Sequence, residues 1–314
     1  MSGLLLLTPQ LPYPPHQGTS LRNFHIIKGL SVRHQITLLS FAQDHSDDEL
    51  RELGPLIDLC HRIIIVPAPK ARTTKKRIAQ MLLSRLPDMA LRLDSRRFEL
   101  SLKRVLSENA FDIVQVEGIE MAWAIRAIRQ AKPNQNLIYD AHNAESLLQR
   151  RALKADLRKP SRWIAAFYSW VQQRRLRQFE ARISEAADWI TVVSQVDKDY
   201  LANQLDNREV PISVIPNSID VAEYKDATKT ADRVDQSKVF DLVFIGKMDY
   251  RPNVDAVIWF AENVWPLVLG QRTRTTWAIV GQKPHSRLDR LRNFPGITLT
   301  GWVESVHPFL AGAK

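Results

Sequence analysis

Gly3-Leu4-Leu5-Leu6-Leu7-Thr8-Pro9-Gln10-Leu11-Pro12-Tyr13-Pro14-Pro15-His16-Gln17-Gly18 is the stretch that decides how the rest of the chain is read. The run from Gly3 to Leu7 is too short for a membrane span and carries no basic leader of the kind a signal peptide has. It predicts a first β-strand. The run is apolar without alternation, so the strand expects cover on both faces, as in a parallel sheet between helical layers. The prolines then make a stiff turn, and Gly18 ends it just ahead of a helix.

The same unit recurs downstream. Gln35–Phe41, His61–Val66, Asp112–Val116 and Asn136–Asp140 repeat the pattern of Leu4–Thr8, each a short Leu, Ile and Val-rich run followed by a polar or helix-starting stretch. Trp189–Val193 and Ile212–Ile215 continue the series. Between these two runs, Ser194 and Asp197 have the spacing of a capping-box variant, so Asp197-Lys198-Asp199 reads as helix-start chemistry rather than a metal pair. From Val221 to Lys238 the apolar pattern lapses, and a second series begins: Phe240–Ile245, a helix from Pro252, Thr276–Val280, a helix near Ser286, and Ile297–Leu299. A chain of 314 residues exceeds the size at which one core stops growing. The expectation is an α/β protein with two Rossmann-like doubly wound domains: residues 1–220, a linker at 221–238, and an incomplete second domain at 239–314.

Hydrophobic residues make up 45% and charged residues 25% of the chain, ordinary values for a soluble globular protein. Cys60 is the only cysteine, so no internal disulfide forms, and a reducing, cytoplasmic compartment fits. The net charge of +10 is concentrated in two segments. Lys70 to Arg104 holds eleven Lys/Arg against three acids and Leu147 to Arg182 ten against two, so the remainder is net acidic. Such a basic face is a solvated helix surface, a surface drawn to anionic lipid, or a nucleic-acid footprint. In Ser161 to Ala186, Trp163, Ile164, Phe167, Trp170, Val171, Phe179 and Ile183 recur mostly at three- and four-residue steps, with Arg174, Arg175, Arg177 and Arg182 largely elsewhere. This basic amphipathic helix either packs its stripe on the sheet or leans on acidic headgroups at the inner face of a membrane. No nucleic-acid partner is expected, because the basic helices lack an aromatic stacking platform and a reader motif.

Several chemistries drop out. No G-x-G-x-x-G follows a strand, and P-loop, G-x-S-x-G and H-E-x-x-H motifs are absent from the sequence. The eight histidines show no i, i+4 pairing, so no metal site is expected. What remains lies at the carboxyl ends of strands, where open α/β sheets bind ligands. The helix start at Gly18 offers backbone N–H groups to a phosphate or sugar hydroxyl, unless the prolines alone explain the turn. In Tyr139-Asp140-Ala141-His142-Asn143-Ala144-Glu145, His142 sits just past a buried strand, with a near-neutral pKa suited to hydrogen-bond or proton exchange. Asp140, Glu145 and Glu117 either orient it or cap helices. In Phe244-Ile245-Gly246-Lys247-Met248, Gly246 lets backbone approach a ligand, Lys247 brings charge, and the helix near Pro252 adds a positive dipole end. A leaving diphosphate is stabilised by that combination without a metal.

These pieces resemble, in order and spacing, the retaining glycosyltransferases of family 4. The resemblance is carried by the proline turn ending in Gly18, Asp140 to Glu145, Val192-Val193-Ser194, Val214 to Asp220 with Asn217, Gly246-Lys247-Met248 with Pro252-Asn253, Val280-Gly281, and Thr300-Gly301-Trp302-Val303-Glu304. The subgroup it looks most like is the bacterial sugar transferases of exopolysaccharide and exosortase systems. The resemblance implies a GT-B fold, two Rossmann-like domains facing a cleft, and a nucleotide-sugar donor with a glycan or lipid-linked acceptor. His142 and Lys247 would be catalytic, contacting the transferred sugar and the diphosphate. Gly18, Gly246, Lys247, Asn217 and Gly281 would serve the donor; His16, Glu117, Asn143 and Glu145 would lie on the acceptor side. Front-face displacement with retention needs no protein nucleophile, cofactor or metal. Two departures stand out: Asn253 replaces a second cation, and the Glu-x7-Glu motif does not occur in these 314 residues. The expectation is a C-terminally truncated polypeptide that alone binds donor poorly and turns over little. A GT-B nucleotide-sugar epimerase, a noncatalytic partner fragment and a nucleic-acid binder are the competing readings.

Overall fold

The structure, a computed structural model, describes residues 2–15, 17–42, 53–157, 163–205, 209–221, 225 and 239–313. The chain divides into two compact units, Met1–Ser218 and Ile219–Lys314. Most of the expected linker 221–238, and the candidate His16, lie outside the described residues.

In the first unit the elements run β1 (Ser2–Thr8), α1 (Gly18–Leu30), β2 (His34–Ala42), α2 (Leu56–Leu59), β3 (Arg62–Pro67), α3 (Thr74–Leu83), α4 (Arg96–Glu108) and β4 (Ile113–Glu117). They continue with α5 (Ala124–Ala131), β5 (Leu137–Ala141), α6 (Glu145–Leu157), α7 (Trp163–Ala186), β6 (Trp189–Val192), α8 (Gln195–Ala202) and β7 (Ile212–Val214). The seven strands form one parallel sheet in the order β3-β2-β1-β4-β5-β6-β7. The order reverses at β1, so the crevice between the carboxyl ends of β1 and β4 is the topological switch point.

Leu5 and Leu7 join one hydrophobic core while Leu4 and Leu6 join another, and all four are at most 3% exposed. Successive side chains of a strand point to opposite faces, so an unbroken run of leucines is what a strand covered twice requires. Each such burial contributes roughly 1.5–3 kcal/mol.

Two expectations need correction. β4 runs one residue further than its apolar pattern, to Glu117, because that carboxyl group is buried by partners described below rather than by apolar contact. The apolar stripe of α7 does not pack as a whole: Phe179 and Ile183 are buried, but Trp163, Ile164, Phe167 and Trp170 are 65%, 90%, 59% and 49% exposed.

The second unit contains β8 (Leu242–Ile245), α9 (Arg251–Asn263), α10 (Trp265–Gln271), β9 (Trp277–Val280), a 3-10 helix (Ser286–Asn293), β10 (Ile297–Gly301) and α11 (His307–Ala311). Its three strands are parallel, in the order β10-β9-β8. The strand expected from Phe240 starts at Leu242, and Phe240 instead makes an isolated bridge with Ala313. Met248, Val254, Val257, Ile258, Trp265, Trp277 and Ile279 build the core on one side of the sheet.

Candidate functional site

Parallel register places Glu117 of β4 beside Asp140 of β5, and Asp140 beside Thr191 of β6. Three polar residues thus form a row across the carboxyl ends of adjacent strands. Glu117 and Asp140 are fully buried, and His142, one residue past β5, is 16% exposed above them. Its Nε2 lies 3.0 Å from Glu117 Oε2 and 3.6 Å from Asp140 Oδ2. Gln115 donates to the other Glu117 oxygen at 2.6 Å.

Two buried carboxyl groups side by side need a countercharge, and Arg22 of α1 supplies it. Its Nε and Nη2 each donate to Asp140 at 2.7 Å, a bidentate pair, while Thr191 Oγ1 donates to the same carboxylate. Arg22 Nη1 reaches the Ile215 carbonyl at 2.9 Å and Asn217 Oδ1 at 3.1 Å. The guanidinium therefore ties α1, β5 and the chain after β7 together. Asn217, expected to meet a donor, is here an acceptor for Arg22.

The charges follow from these contacts. Burial works against ionised Asp140, but the Arg22 hydrogen bonds hold its carboxyl below the ordinary value. Burial and the neighbouring Asp140 push Glu117 up to about 7. Burial opposes the imidazolium of His142, yet the Glu117 hydrogen bond and both carboxylates outweigh it and raise its pKa. Both the Glu117 carboxyl and the His142 imidazole are thus shifted toward their protonated forms beside Asp140, which suits hydrogen bonding to a hydroxyl.

Gly118 gives the imidazole its space. Its φ is +73°, and an added Cβ would stand 3.2 Å from His142 Nδ1. The other expected acceptor-side residues, Asn143 and Glu145, bond to each other at 3.1 Å at the start of α6. Asp197 of α8 accepts from the Ala144 backbone N–H at 3.0 Å and from its own helix cap, Ser194, so the capping pair also anchors the His142 loop. By distance, Glu117, Asp140 and His142 could each give one ligand atom to a cation, their atoms lying within 4.8 Å of one another. Arg22 already engages both Asp140 oxygens and places a positive charge there.

At the start of α1 the Gln17 N–H is taken by Ser20 Oγ at 3.1 Å, and an added Cβ on Gly18 would meet nothing within 4 Å. The protein itself does not require glycine at 18, and the open space beside it suits close approach by a ligand. Gly18→Ala is expected to raise stability by about 0.4–1 kcal/mol, since alanine narrows the unfolded ensemble. A lowered melting temperature would contradict this reading.

In the second unit, glycine is demanded by packing. A Cβ on Gly281 would lie 1.8 Å from the Gly246 carbonyl oxygen, and one on Gly246 would lie 2.8 Å from Asn253 Nδ2. Gly246 donates to the Val280 carbonyl at 3.0 Å, and Asn253 Nδ2 donates to the Lys247 carbonyl at 3.1 Å. Asn253, where a second cation was expected, thus fixes the turn that presents Lys247. The Lys247 ammonium is 45% exposed and 3.7 Å from Asp249 Oδ1, a loose surface pair. No side chain caps α9; Pro252 in its first turn has no N–H, and the Asn253 and Val254 N–H groups donate to the Tyr250 carbonyl at 3.0 and 3.1 Å, so this helix start offers Lys247's neighbourhood its dipole end rather than a row of free donors.

The sequence missed Arg22, Gln115, Gly118 and Thr191. Thr191 lies beside Asp140 near the carboxyl end of the neighbouring strand, which was a readable signal; Arg22 is separated from Asp140 by over a hundred residues.

Comparison with solved structures shows a shared GT-B fold. The N-terminal domain of Candida albicans trehalose-6-phosphate phosphatase has a TM-score of 0.60 at 12% identity, over 100% of this chain and 75% of that one. TarM gives 0.60 at 10% identity over 100% and 79%. A TarM variant from S. aureus in complex with Fondaparinux, alpha-GlcNAc-glycerol and UDP gives 0.59 at 10% over 100% and 80%. No curated protein matches in sequence. The profile of Glycosyl transferases group 1 matches residues 239–314, and that of Glycosyltransferase Family 4 matches residues 17–223. Because the latter spans well over half of its length, the chain belongs to glycosyltransferase family 4.

Proposed function

We propose that this glycosyltransferase moves a sugar from a nucleotide-diphosphate-sugar to a glycan or lipid-linked acceptor with retention, in cell-surface polysaccharide synthesis, working peripherally at the inner face of a membrane. The observation that carries the proposal is His142 held 3.0 Å from buried Glu117 and 3.6 Å from the Arg22-paired Asp140, at the carboxyl ends of β4 and β5 next to the switch point. His142 binds a hydroxyl of the transferred sugar. Lys247 and the N-terminus of α9 stabilise the negative charge that grows on the departing diphosphate. In the reaction the acceptor oxygen bonds to the anomeric carbon as the bond from that carbon to the phosphate oxygen breaks. The acceptor's proton passes to the departing phosphate on the same face, so the configuration is kept. Arg22 and Lys247 supply the positive charges of this reading, which uses no metal. UDP is the first nucleotide to test, since the S. aureus TarM variant was solved with it.

The test is proton NMR of the product formed from nucleotide-sugars with glycan and lipid-linked acceptors. The expected product keeps the donor's anomeric configuration. An inverted product overturns retention, and nucleotide release without any acceptor would favour the epimerase reading.

A further inference from the structure

We propose that α6, α7 and α3 form a docking face for the surface of an anionic lipid bilayer. The proposal deepens the peripheral placement given above and is independent of sugar transfer.

Trp163, Ile164, Phe167 and Trp170 fall within eight residues of α7 and are all exposed, beside Leu157 of α6 at 58%. Leu153, Leu157, Trp163, Ala166, Phe167 and Trp170 line a concavity of about 360 Å³ in which almost no polar atom is presented. The Phe167 and Trp170 rings stay together, centroids 6.1 Å apart. An aromatic and aliphatic cluster of this size on a water-soluble surface marks an interaction site. α3 adds to it: none of its ten residues is buried, and Ile78, Leu82 and Leu83 are 53%, 73% and 88% exposed. Arg77 Nη2 of α3 bonds Tyr168 Oη at 3.4 Å, and Arg175 Nη2 of α7 donates to the Met81 carbonyl at 2.5 Å, so the two helices lie against each other.

Charge selects the occupant. Among the described residues from 150 to 177 the exposed ionic side chains are Arg150, Arg151, Lys154, Arg174 and Arg177, and the sole acid, Asp156, is buried. Lys75 and Lys76 give α3 the same sign, while Arg77 is paired with Asp88 at 3.2 Å. An apolar centre with Trp and Phe and a cationic rim matches the boundary between anionic headgroups and acyl chains. Among the described residues no helix is long and apolar enough to cross a membrane, so this face would lie on the bilayer. The exposed aromatics also make the stacking surface that the sequence reading found lacking. Leu153, Leu157, Ile164, Leu82 and Leu83 around them favour acyl chains over bases, which gain from aromatic partners and not from leucine.

The test is flotation of the full chain with phosphatidylcholine vesicles, with and without about 30 mol% phosphatidylglycerol, in the absence of donor and acceptor. Two variants accompany it, Trp163→Ser/Phe167→Ser and Arg150→Glu/Arg151→Glu/Lys154→Glu, each checked for an unchanged thermal melt. Wild type is expected to float only with the anionic vesicles, with a blue-shifted tryptophan emission, and each variant to bind at least about tenfold more weakly. The proposal is overturned if wild type does not float, if both variants float like wild type, if the face proves closed by a second copy in sedimentation, or if single-stranded RNA binds there in preference. Sugar transfer to a water-soluble acceptor is read separately, so failure of docking leaves the transferase reading standing.

Discussion

Arg22→Ala is expected to lower the unfolding free energy by about 3–5 kcal/mol at pH 7, the range for breaking a buried ion pair by removing one partner. Arg22 is 5% exposed and Asp140 fully buried, and both carboxylate oxygens receive a 2.7 Å hydrogen bond from the guanidinium. Without Arg22, Asp140 keeps only the imidazole of His142, 3.6 Å away and shared with Glu117, as a countercharge, and the Ile215 carbonyl loses a donor. The sign with pH follows. In wild type the depressed Asp140 pKa contributes stability above its unfolded value, and that stability is lost as pH falls through the folded value. In the variant, burial raises the Asp140 pKa instead, so the difference between the two proteins widens from pH 4 to pH 7. Urea unfolding at both pH values measures it. Arg22→Lys keeps a charge but not the planar fork, and should fall between. Equal stability of Arg22→Ala and wild type at pH 7 would show that the pair is not the keystone of this site.

A second large effect is expected at Glu180 of α7. Its carboxyl group is 1% exposed, and both oxygens lie 3.2 Å from the Ser146 backbone N–H at the start of α6. Burial pushes its pKa up to about 7, against the lowering effect of the Ser146 bonds. A carboxyl group whose folded pKa is raised contributes stability that is complete below its unfolded pKa and lost as pH rises through the folded value. Between about 4.5 and 7 the unfolded chain gives up the proton first, and the folded state loses roughly 2–4 kcal/mol. Glu180→Gln keeps an acceptor for Ser146 and cannot ionise. It should match wild type near pH 5 and be the more stable protein by that amount at pH 8. Thermal melts across this range decide it: parallel curves for the two proteins would mean that Glu180 is not ionising inside the fold.

The strands were legible because the sheet is covered on both faces, so each strand shows itself as an unbroken apolar run, as Leu4 to Leu7 does. Helix starts were legible where a side chain caps them, as Ser194 does for α8. The site was legible only in part. His142 could be placed beyond β5 because strand ends are local features, but its environment is not local. Arg22 sits in α1 and reads as one more surface arginine until the chain folds it against Asp140. Asn253 stood out as a missing cation, yet its amide holds the Lys247 carbonyl, a role that depends on the Gly246 turn. The stripe on α7 kept helical spacing over its whole length, and spacing does not say what covers it. The sheet covers its second half and leaves Trp163 to Trp170 open.

The central claim is that His142 handles the sugar and Lys247 the diphosphate. It is tested most directly by ligand-observed NMR titration of UDP, GDP and their nucleotide-sugars against wild type, His142→Ala and Lys247→Ala. Loss of a charge-assisted hydrogen bond to the diphosphate should weaken both the nucleotide and its sugar about tenfold in Lys247→Ala. In His142→Ala the nucleotide-sugar alone should weaken, by about as much, while the free nucleotide binds as it does to wild type. Nucleotide-sugars that bind both variants as tightly as wild type would contradict the account.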